Sequence, residues 1–213
     1  MKNNNITIYL VRHAESTGNK EGRLCGKHAD FPLSEKGYEQ ANLVANALIN
    51  VCIDKIYSSP MQRALQTAVE IEKLQQQDIN INIINEFNEM EFGDLDGKLH
   101  KDIYNLYPVE HHNWTTVKRY PEGFPGQESV EDAQMRFSDA LKNILENDND
   151  SNNILITTHG TILRLFTGML LGYSKNELKK LPSSRNTAIT KILFDKKTKK
   201  FHVIDIANSS HLK

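Results

Sequence analysis

Arginine, histidine and acidic residues follow four apolar runs at corresponding places in the chain. Arg12 and His13 come directly after Ile6–Val11; Ser58, Ser59 and, one helical turn on, Arg63 come after Cys52–Tyr57. Thr158, His159 and Gly160 come after Ile154–Thr157, and Glu86, Glu89 and Glu91 after Ile79–Asn85. Short apolar runs of this kind read as buried strands, and ligands of open α/β sheets bind outside the carboxyl ends of such strands. Three of the strands would deliver two guanidiniums and two imidazoles to one sheet edge, with carboxylates beside them. An arginine fork meets two phosphate oxygens at once. Imidazole is the side chain that can be an uncharged nucleophile near neutral pH. The set describes a site for a dianionic group, most simply a phosphoryl group.

The sequence contains no GxxxxGK(S/T) loop, no HExxH pair and no EF-hand loop, so metal activation has no motif behind it and no metal site is expected. Metal-free phosphoryl transfer must divide the displacement into two steps through a covalent phospho-enzyme. Fixed positive charge then stabilises the phosphoryl oxygens, and a carboxyl group protonates the leaving alkoxide. Taken singly, each residue has a blander role: a capping pair, a helix-face salt bridge, a solvated acidic turn. Their joint occurrence after different strands favours the functional reading.

The elements that must position these groups are set by periodicity. Ser34–Asn50 reads as a helix with Tyr38, Ala41, Val44, Ala45 and Leu48 on one stripe and Ser34 as its N-cap. Pro60 starts a second helix running to about Leu74, with Ala64, Leu65, Ala68, Val69 and Ile71 facing in. Ser129–Glu146 is a third, where Ser129 and Asp132 resemble a capping box, and Thr161–Leu171 is a nearly all-apolar fourth. Ala188–Phe194 and Phe201–Ile206 flank an Asp-Lys-Lys-Thr-Lys-Lys turn and read as a closing hairpin. The expectation is an α/β protein: three layers, α/β/α, around a mostly parallel sheet, forming one domain over 1–213. The stretch 92–127 breaks the pattern, with Gly, Pro, His100, His111, His112 and Trp114, and reads as an insertion or lid over the site.

Composition sets the outer limits. The 213 residues suit one core without disulfide or metal staples. With 26 Lys+Arg against 27 Asp+Glu, the chain as a whole is not a basic nucleic-acid binder, although a local positive pocket fits. Cys25 and Cys52 form no CxxC pair, which fits a reducing compartment. Met1–Asn5 is polar and lacks the apolar region of a signal peptide. The longest apolar stretch, Ile162–Leu171, is interrupted by Arg164, Thr167 and Gly168 and is too short to span a bilayer. A cytoplasmic protein without nucleic-acid or membrane partners is expected.

The segments carrying the reactive residues resemble those of the histidine phosphatases, the phosphoglycerate mutase-like superfamily. Leu10–Asn19 (LVRHAESTGN) is similar to the family's LVRHGE(S/T)xxN signature, and Ser58–Ala68 (SSPMQRALQTA) to its second motif. Phe87–Gly97 (FNEMEFGDLDG) resembles the acidic segment and Thr157–Arg164 (TTHGTILR) the second-histidine segment. Weaker echoes are Asp30–Ala41 and Pro125–Asp132, so the resemblance runs from about Ile6 to Asn186. It implies a phosphoglycerate mutase-like fold and His13 as the nucleophile that becomes phosphohistidine. It also implies that Arg12, Arg63 and His159 bind phosphoryl oxygens, His159 helped by the helix it opens, and that Glu89 is the general acid and then the base. Asn19 would contact the phosphoryl group or its neighbour, and Gly160 would lend a backbone amide. Arg23, Cys25 and Gly26 occupy the loop toward the substrate, and Thr161 adjoins them. Two positions depart: Ala14 replaces the usual Gly, which a negative φ allows, and Gly18 stands where many members carry an aromatic residue, implying a roomier pocket.

Within the family, phosphatase and mutase share the phosphohistidine and differ in where its phosphoryl group goes, to water or back to a re-oriented monophosphate. Dedicated mutases carry a longer insertion, a substrate-binding Lys, an Arg pair and an Asn after the second His-Gly. Here the insertion is shorter, His100 lies near the Lys position, Thr161 replaces the Asn, and Lys118-Arg119 reads as a solvated doublet rather than the Arg pair. These features favour a metal-independent phosphomonoesterase for a small phosphorylated metabolite, needing no cofactor. The alternative is a phosphoglycerate mutase, for which 2,3-bisphosphoglycerate would be the primer. A homodimer is common in the family, and nothing in the sequence forces one. A metal site at His100, His111 and His112 is disfavoured, because adjacent histidines point apart and lack ligand spacing. Cys25 reads as a small spectator, and Tyr104, Tyr107, Trp114 and Phe124 are candidate specificity residues of the lid.

Overall fold

A computed structural model describes residues 4–118 and 122–213, without the side chains of 117 and 118. Six strands form one sheet in the order β3-β2-β4-β1-β5-β6. They are β1 (Asn5–Arg12), β2 (Lys55–Ser58), β3 (Ile81–Ile83), β4 (Asn153–Thr158), β5 (Ile189–Asp195) and β6 (Lys200–Asn208). The first four are mutually parallel, whereas β5 and β6 are antiparallel additions closed by the expected hairpin. The register sets Arg12 beside Thr158 and Ser58 beside Thr157, so the carboxyl ends of β1, β2 and β4 finish level.

The helices are α1 (Thr17–Lys20), α2 (Glu35–Leu48), α3 (Gln62–Glu72), α4 (His100–Leu106), α5 (Pro108–His112), α6 (Val130–Glu146) and α7 (Gly160–Leu170). Strand alternation divides the core between the sheet's two faces. Ile6, Ile8, Leu10, Ile154 and Ile156 pack with Phe137, Leu141, Leu165 and Phe166 of α6 and α7. Val11, Ile56 and Leu155 pack with Val44, Leu48, Ala68 and Ile71 of α2 and α3. Burying such side chains contributes roughly 1.5–3 kcal/mol each. The expected caps form: Ser34 Oγ accepts from Gly37 N and Ser129 Oγ from Asp132 N, both at 3.0 Å.

The structure corrects several boundaries. β3 has three residues rather than seven, because it lies at the sheet edge with one pairing partner. α3 begins at Gln62, two residues after Pro60, and its buried face includes Arg63 and Thr67, whereas Leu65 and Val69 are half-buried. Tyr38 lies off the α2 stripe and is exposed. The insertion holds α4, α5 and a π-helical turn, Asn113–Lys118, which short segments without regular periodicity conceal. The Lys118 side chain and Arg119 lie outside the described residues. No helix of the described residues is long and apolar enough to cross a membrane.

Candidate active site

His13 sits in the turn that leaves β1, its N–H donating to the Thr158 carbonyl of β4 at 2.9 Å. Its Nδ1 lies 2.7 Å from the Ala14 carbonyl. A carbonyl only accepts, so Nδ1 carries the proton and the Nε2 lone pair is left without a partner among the described residues. The Ala14 N–H donates to Thr67 Oγ1 at 3.0 Å, and Thr67 donates to the Arg63 carbonyl, fixing the turn to α3. Positive φ at non-glycine positions is confined, among the described residues, to Thr187, Lys199 and Ala207, so Ala14 meets the conformational requirement its sequence position set. Burial, then the charges of Arg63 and Arg12, hold the His13 imidazole well below its ordinary pKa. The ring is therefore neutral, the form with a nucleophilic lone pair.

Arg63 and His159 lie immediately behind His13, the two imidazole rings 5.2 Å apart between centroids. Arg63 is fully buried in α3 and uses its whole fork. Nη1 donates to Ala29 O at 2.9 Å, and Nη2 to Cys25 O at 3.0 Å and Gly26 O at 3.2 Å. Nε donates to His159 Nδ1 at 3.2 Å. The other His159 nitrogen, Nε2, is 2.8 Å from Ser59 Oγ, which donates to Asn88 Oδ1 at 2.9 Å. Burial first, then Arg63, keeps His159 well below its ordinary pKa. Burial also lowers both arginines, which remain charged.

Glu89 caps α7. One carboxylate oxygen accepts from Thr161 N and the other from Ile162 N and Met90 N, each at 3.0 Å. The orphan donors of a helix N-terminus and its positive dipole end thus hold a carboxylate at the mouth of the site.

These elements enclose a cavity of about 200 Å³ lined by Arg12, His13, Asn19, Arg23, Cys25, Glu89, Gly160 and Thr161 from the expected set. Arg63, His159 and Gly26 stand behind this wall, Gly26 with its Cα against Asp96. Arg12 donates from Nη1 to Ser184 O, while its buried Nε has no hydrogen-bond partner among the described residues and lies against Gly160. Burial raises the Cys25 thiol, the opposite of an activated thiolate. The gap expected at Gly18 is filled: a Cβ there would lie 2.5 Å from Phe31 and 2.7 Å from Cys25 Sγ.

The lid contributes Phe92, His100 and Trp114 to the cavity. Trp114 stands 4.9 Å from the His100 ring and 6.3 Å from Phe92. His111 touches His100 from behind at 3.4 Å, Tyr107 packs on Phe124, and Tyr104 and His112 are exposed. Sequence reasoning missed Arg164, Ser183 and Ser184 in the wall, and Arg136, which grips Glu128 and the Glu86 and Asn88 carbonyls beneath Glu89. Arg164 lies one residue beyond Leu163 on the apolar helix, where only its lone charge could have marked it.

A neutral imidazole with a free nitrogen, a guanidinium and a capped carboxylate meet in one small cavity at a parallel sheet edge, a setting for transfer of an anionic group. The histidine phosphatase superfamily (branch 1) matches residues 8–206, and the chain belongs to it, an enzyme of phosphoryl transfer. Phosphoserine phosphatase 1 of Hydrogenobacter thermophilus is 32% identical over 169 residues, covering 78% of this chain and 77% of that one. The adenosylcobalamin/alpha-ribazole phosphatase of Salmonella typhimurium is 32% identical over 171 residues, covering 78% and 80%. The structure of Bacillus stearothermophilus YhfR is 29% identical, covers 98% of this chain and 100% of its own, and superposes with a TM-score of 0.87.

Proposed function

We propose that the protein is a metal-independent phosphomonoesterase that hydrolyses a small phosphorylated metabolite through a phosphohistidine at His13. The observation that carries this reading is the His13 ring, neutral, anchored through Nδ1–H and presenting an unpartnered Nε2 to a cavity that also holds Arg12 and Glu89. In the first step Nε2 attacks phosphorus, an N–P bond forms and the ester P–O bond breaks. The electron pair leaves on the alkoxide oxygen, which takes a proton from Glu89, whose carboxylate has first received it from the entering monoanionic ester. In the second step water attacks phosphorus and gives its proton to Glu89, the N–P bond breaks, and neutral His13 and inorganic phosphate result, the phosphate carrying that proton away and restoring the Glu89 carboxylate.

Arg12 serves the phosphoryl oxygens as a guanidinium of the cavity wall, and the Gly160 amide and Asn19 lie on the same wall. Arg63 and His159 support the site from behind, Arg63 as a buried positive charge stabilising the developing negative charge. The cavity is below the usual size of ligand pockets, which suits a small leaving group. Arg23, Cys25 and Thr161 border that part of the cavity, with Gly26 behind the wall. Phosphatase relatives and the short lid support hydrolysis over isomerisation.

A mutase reading rests on one feature: Arg23 and Arg164 both line the wall. With the Arg164 Nη atoms donating to the Leu178, Leu181 and Pro182 carbonyls, the second anionic group of a 2,3-bisphosphoglycerate primer would fall to Arg23. One reaction decides. Enzyme, EDTA and 3-phosphoglycerate primed with 2,3-bisphosphoglycerate are assayed for 2-phosphoglycerate and free phosphate. Phosphate without isomerisation is expected of the phosphatase, should it accept that ester; rapid 2-phosphoglycerate would make the protein a mutase. A phosphomonoester panel with EDTA tests the wider claim, and turnover that disappears with EDTA and returns with a divalent cation would overturn metal independence. No nucleic-acid or membrane partner is part of this reading, and a cytoplasmic setting accords with the two unpaired cysteines.

A further inference from the structure

The peptide between His13 and Ala14 is pinned at both ends. Its N–H reaches Thr67, and its carbonyl accepts from Asn186 Nδ2 at 3.0 Å and from Thr187 N at 3.4 Å. The Thr187 N–H also reaches the Arg12 carbonyl at 3.0 Å. Thr187 is fully buried and has φ of 61°, a left-handed conformation that a β-branched residue rarely adopts. Strain of this kind persists where the surroundings over-determine it, and it clusters at functional sites.

The contact that holds Thr187 comes from the far end of the chain. Its hydroxyl has one hydrogen, which goes to the Asn186 carbonyl at 2.7 Å. His211 Nε2, 3.0 Å from the same oxygen, must therefore be the donor. His211 lies in the single 3-10 turn Ser210–Leu212, which packs against α2.

We propose that Asn186, Thr187 and His211 form a clasp that positions the His13 imidazole for attack. It rests on the reading of His13 as the nucleophile. His211 is a positioning residue: its N–H holds the Thr187 hydroxyl, Thr187 holds the 13–14 peptide, and that peptide sets the direction of Nε2. Loosening it should slow attack far more than it weakens ground-state binding of phosphate, because the Arg12 side chain is anchored at Ser184 O and the α7 N-terminus at Glu89, although the Arg12 carbonyl shares the Thr187 N–H.

The test compares His211→Ala with His211→Gln, whose side-chain amide can still donate. For His211→Ala, kcat for p-nitrophenyl phosphate and the burst rate of phosphohistidine formation are expected to fall about tenfold, since small misplacements of reacting groups are costly in rate. The inhibition constant for inorganic phosphate should stay within about twofold, and His211→Gln should recover most of kcat. Wild-type kcat in His211→Ala, equal impairment of the Gln variant, or phosphate affinity falling in step with kcat would each overturn the clasp. Should His211→Ala fail to fold, Asn186→Ala, which removes one bond to the same carbonyl, is read by the same measurements. His13→Ala, run in parallel, separates the two proposals. If it keeps its turnover, the nucleophile reading falls; if it is inactive and His211→Ala is unimpaired, only the clasp falls.

Discussion

Arg63 Nε lies 3.2 Å from His159 Nδ1, and this bond fixes the protonation of the histidine. A guanidinium can only donate, so Nδ1 accepts and the proton sits on Nε2, facing Ser59. The second histidine is thus a neutral ring held between α3 and the end of β2, while the guanidinium carries the positive charge. Lysine has no planar fork to reach three carbonyls and a ring nitrogen together. Arg63→Lys should therefore lose stability by about 2–4 kcal/mol, from several buried groups left unpaired, and activity by about a hundredfold. Denaturant titration and kcat/KM measure the two effects.

His13→Ala should remove essentially all turnover and the acid-labile phosphoprotein seen after a rapid quench with labelled substrate. Retained turnover would show that another group attacks phosphorus.

Glu89→Gln should slow alkyl phosphates by about 10²–10⁴, the range of general acid–base catalysis, and p-nitrophenyl phosphate much less, because its leaving group needs little proton help. Equal slowing of both esters would count against Glu89 as the proton donor. Glutamine also has one acceptor oxygen for three amides that now share two, from Met90, Thr161 and Ile162. A stability loss of about 1–3 kcal/mol should accompany the kinetic change.

His13 and His159 both have folded pKa values well below the ordinary value of about 6.5, so the unfolded chain binds more protons at mildly acidic pH. Stability from these neutral rings is complete above about pH 6.5 and is lost as pH falls toward the folded values. Each ring contributes up to about 1.4 kcal/mol per pH unit in that window. Chemical denaturation between pH 7.5 and 5 should show this decline, and His159→Gln should remove about one ring's share of the slope. An unchanged slope would mean that His159 is not buried neutral.

Trp114 forms the lid's aromatic wall beside His100 and Phe92. Trp114→Ala should weaken kcat/KM for p-nitrophenyl phosphate about three- to tenfold, the worth of an aromatic contact, and leave inhibition by inorganic phosphate within about twofold. A parallel loss of phosphate affinity would place the indole against the phosphoryl group instead.

Much of this protein is legible in the order of its residues. Apolar runs with a period of two or none, and helices with a period near 3.6, established the parallel α/β core, because burial imposes those periods on any chain that folds this way. Residues placed just after strands then have to meet at one edge, which is where Arg12, His13, Arg63, Glu89 and His159 come together. Relations between segments far apart in the chain emerged only on folding. Arg63 and His159 stand behind His13 rather than in the cavity wall, Gly26 is turned to Asp96, and Phe31 fills the space beside Gly18. Arg164, Ser184, Thr187 and His211 carry no local pattern that marks them. Their positions result from how α7, the turn before β5 and the last turn of the chain pack around the β1 edge. Such packing depends on shape and on hydrogen-bond partners from 14 residues away, as for Arg164 and Leu178, to 172, as for Arg12 and Ser184, which no local period encodes.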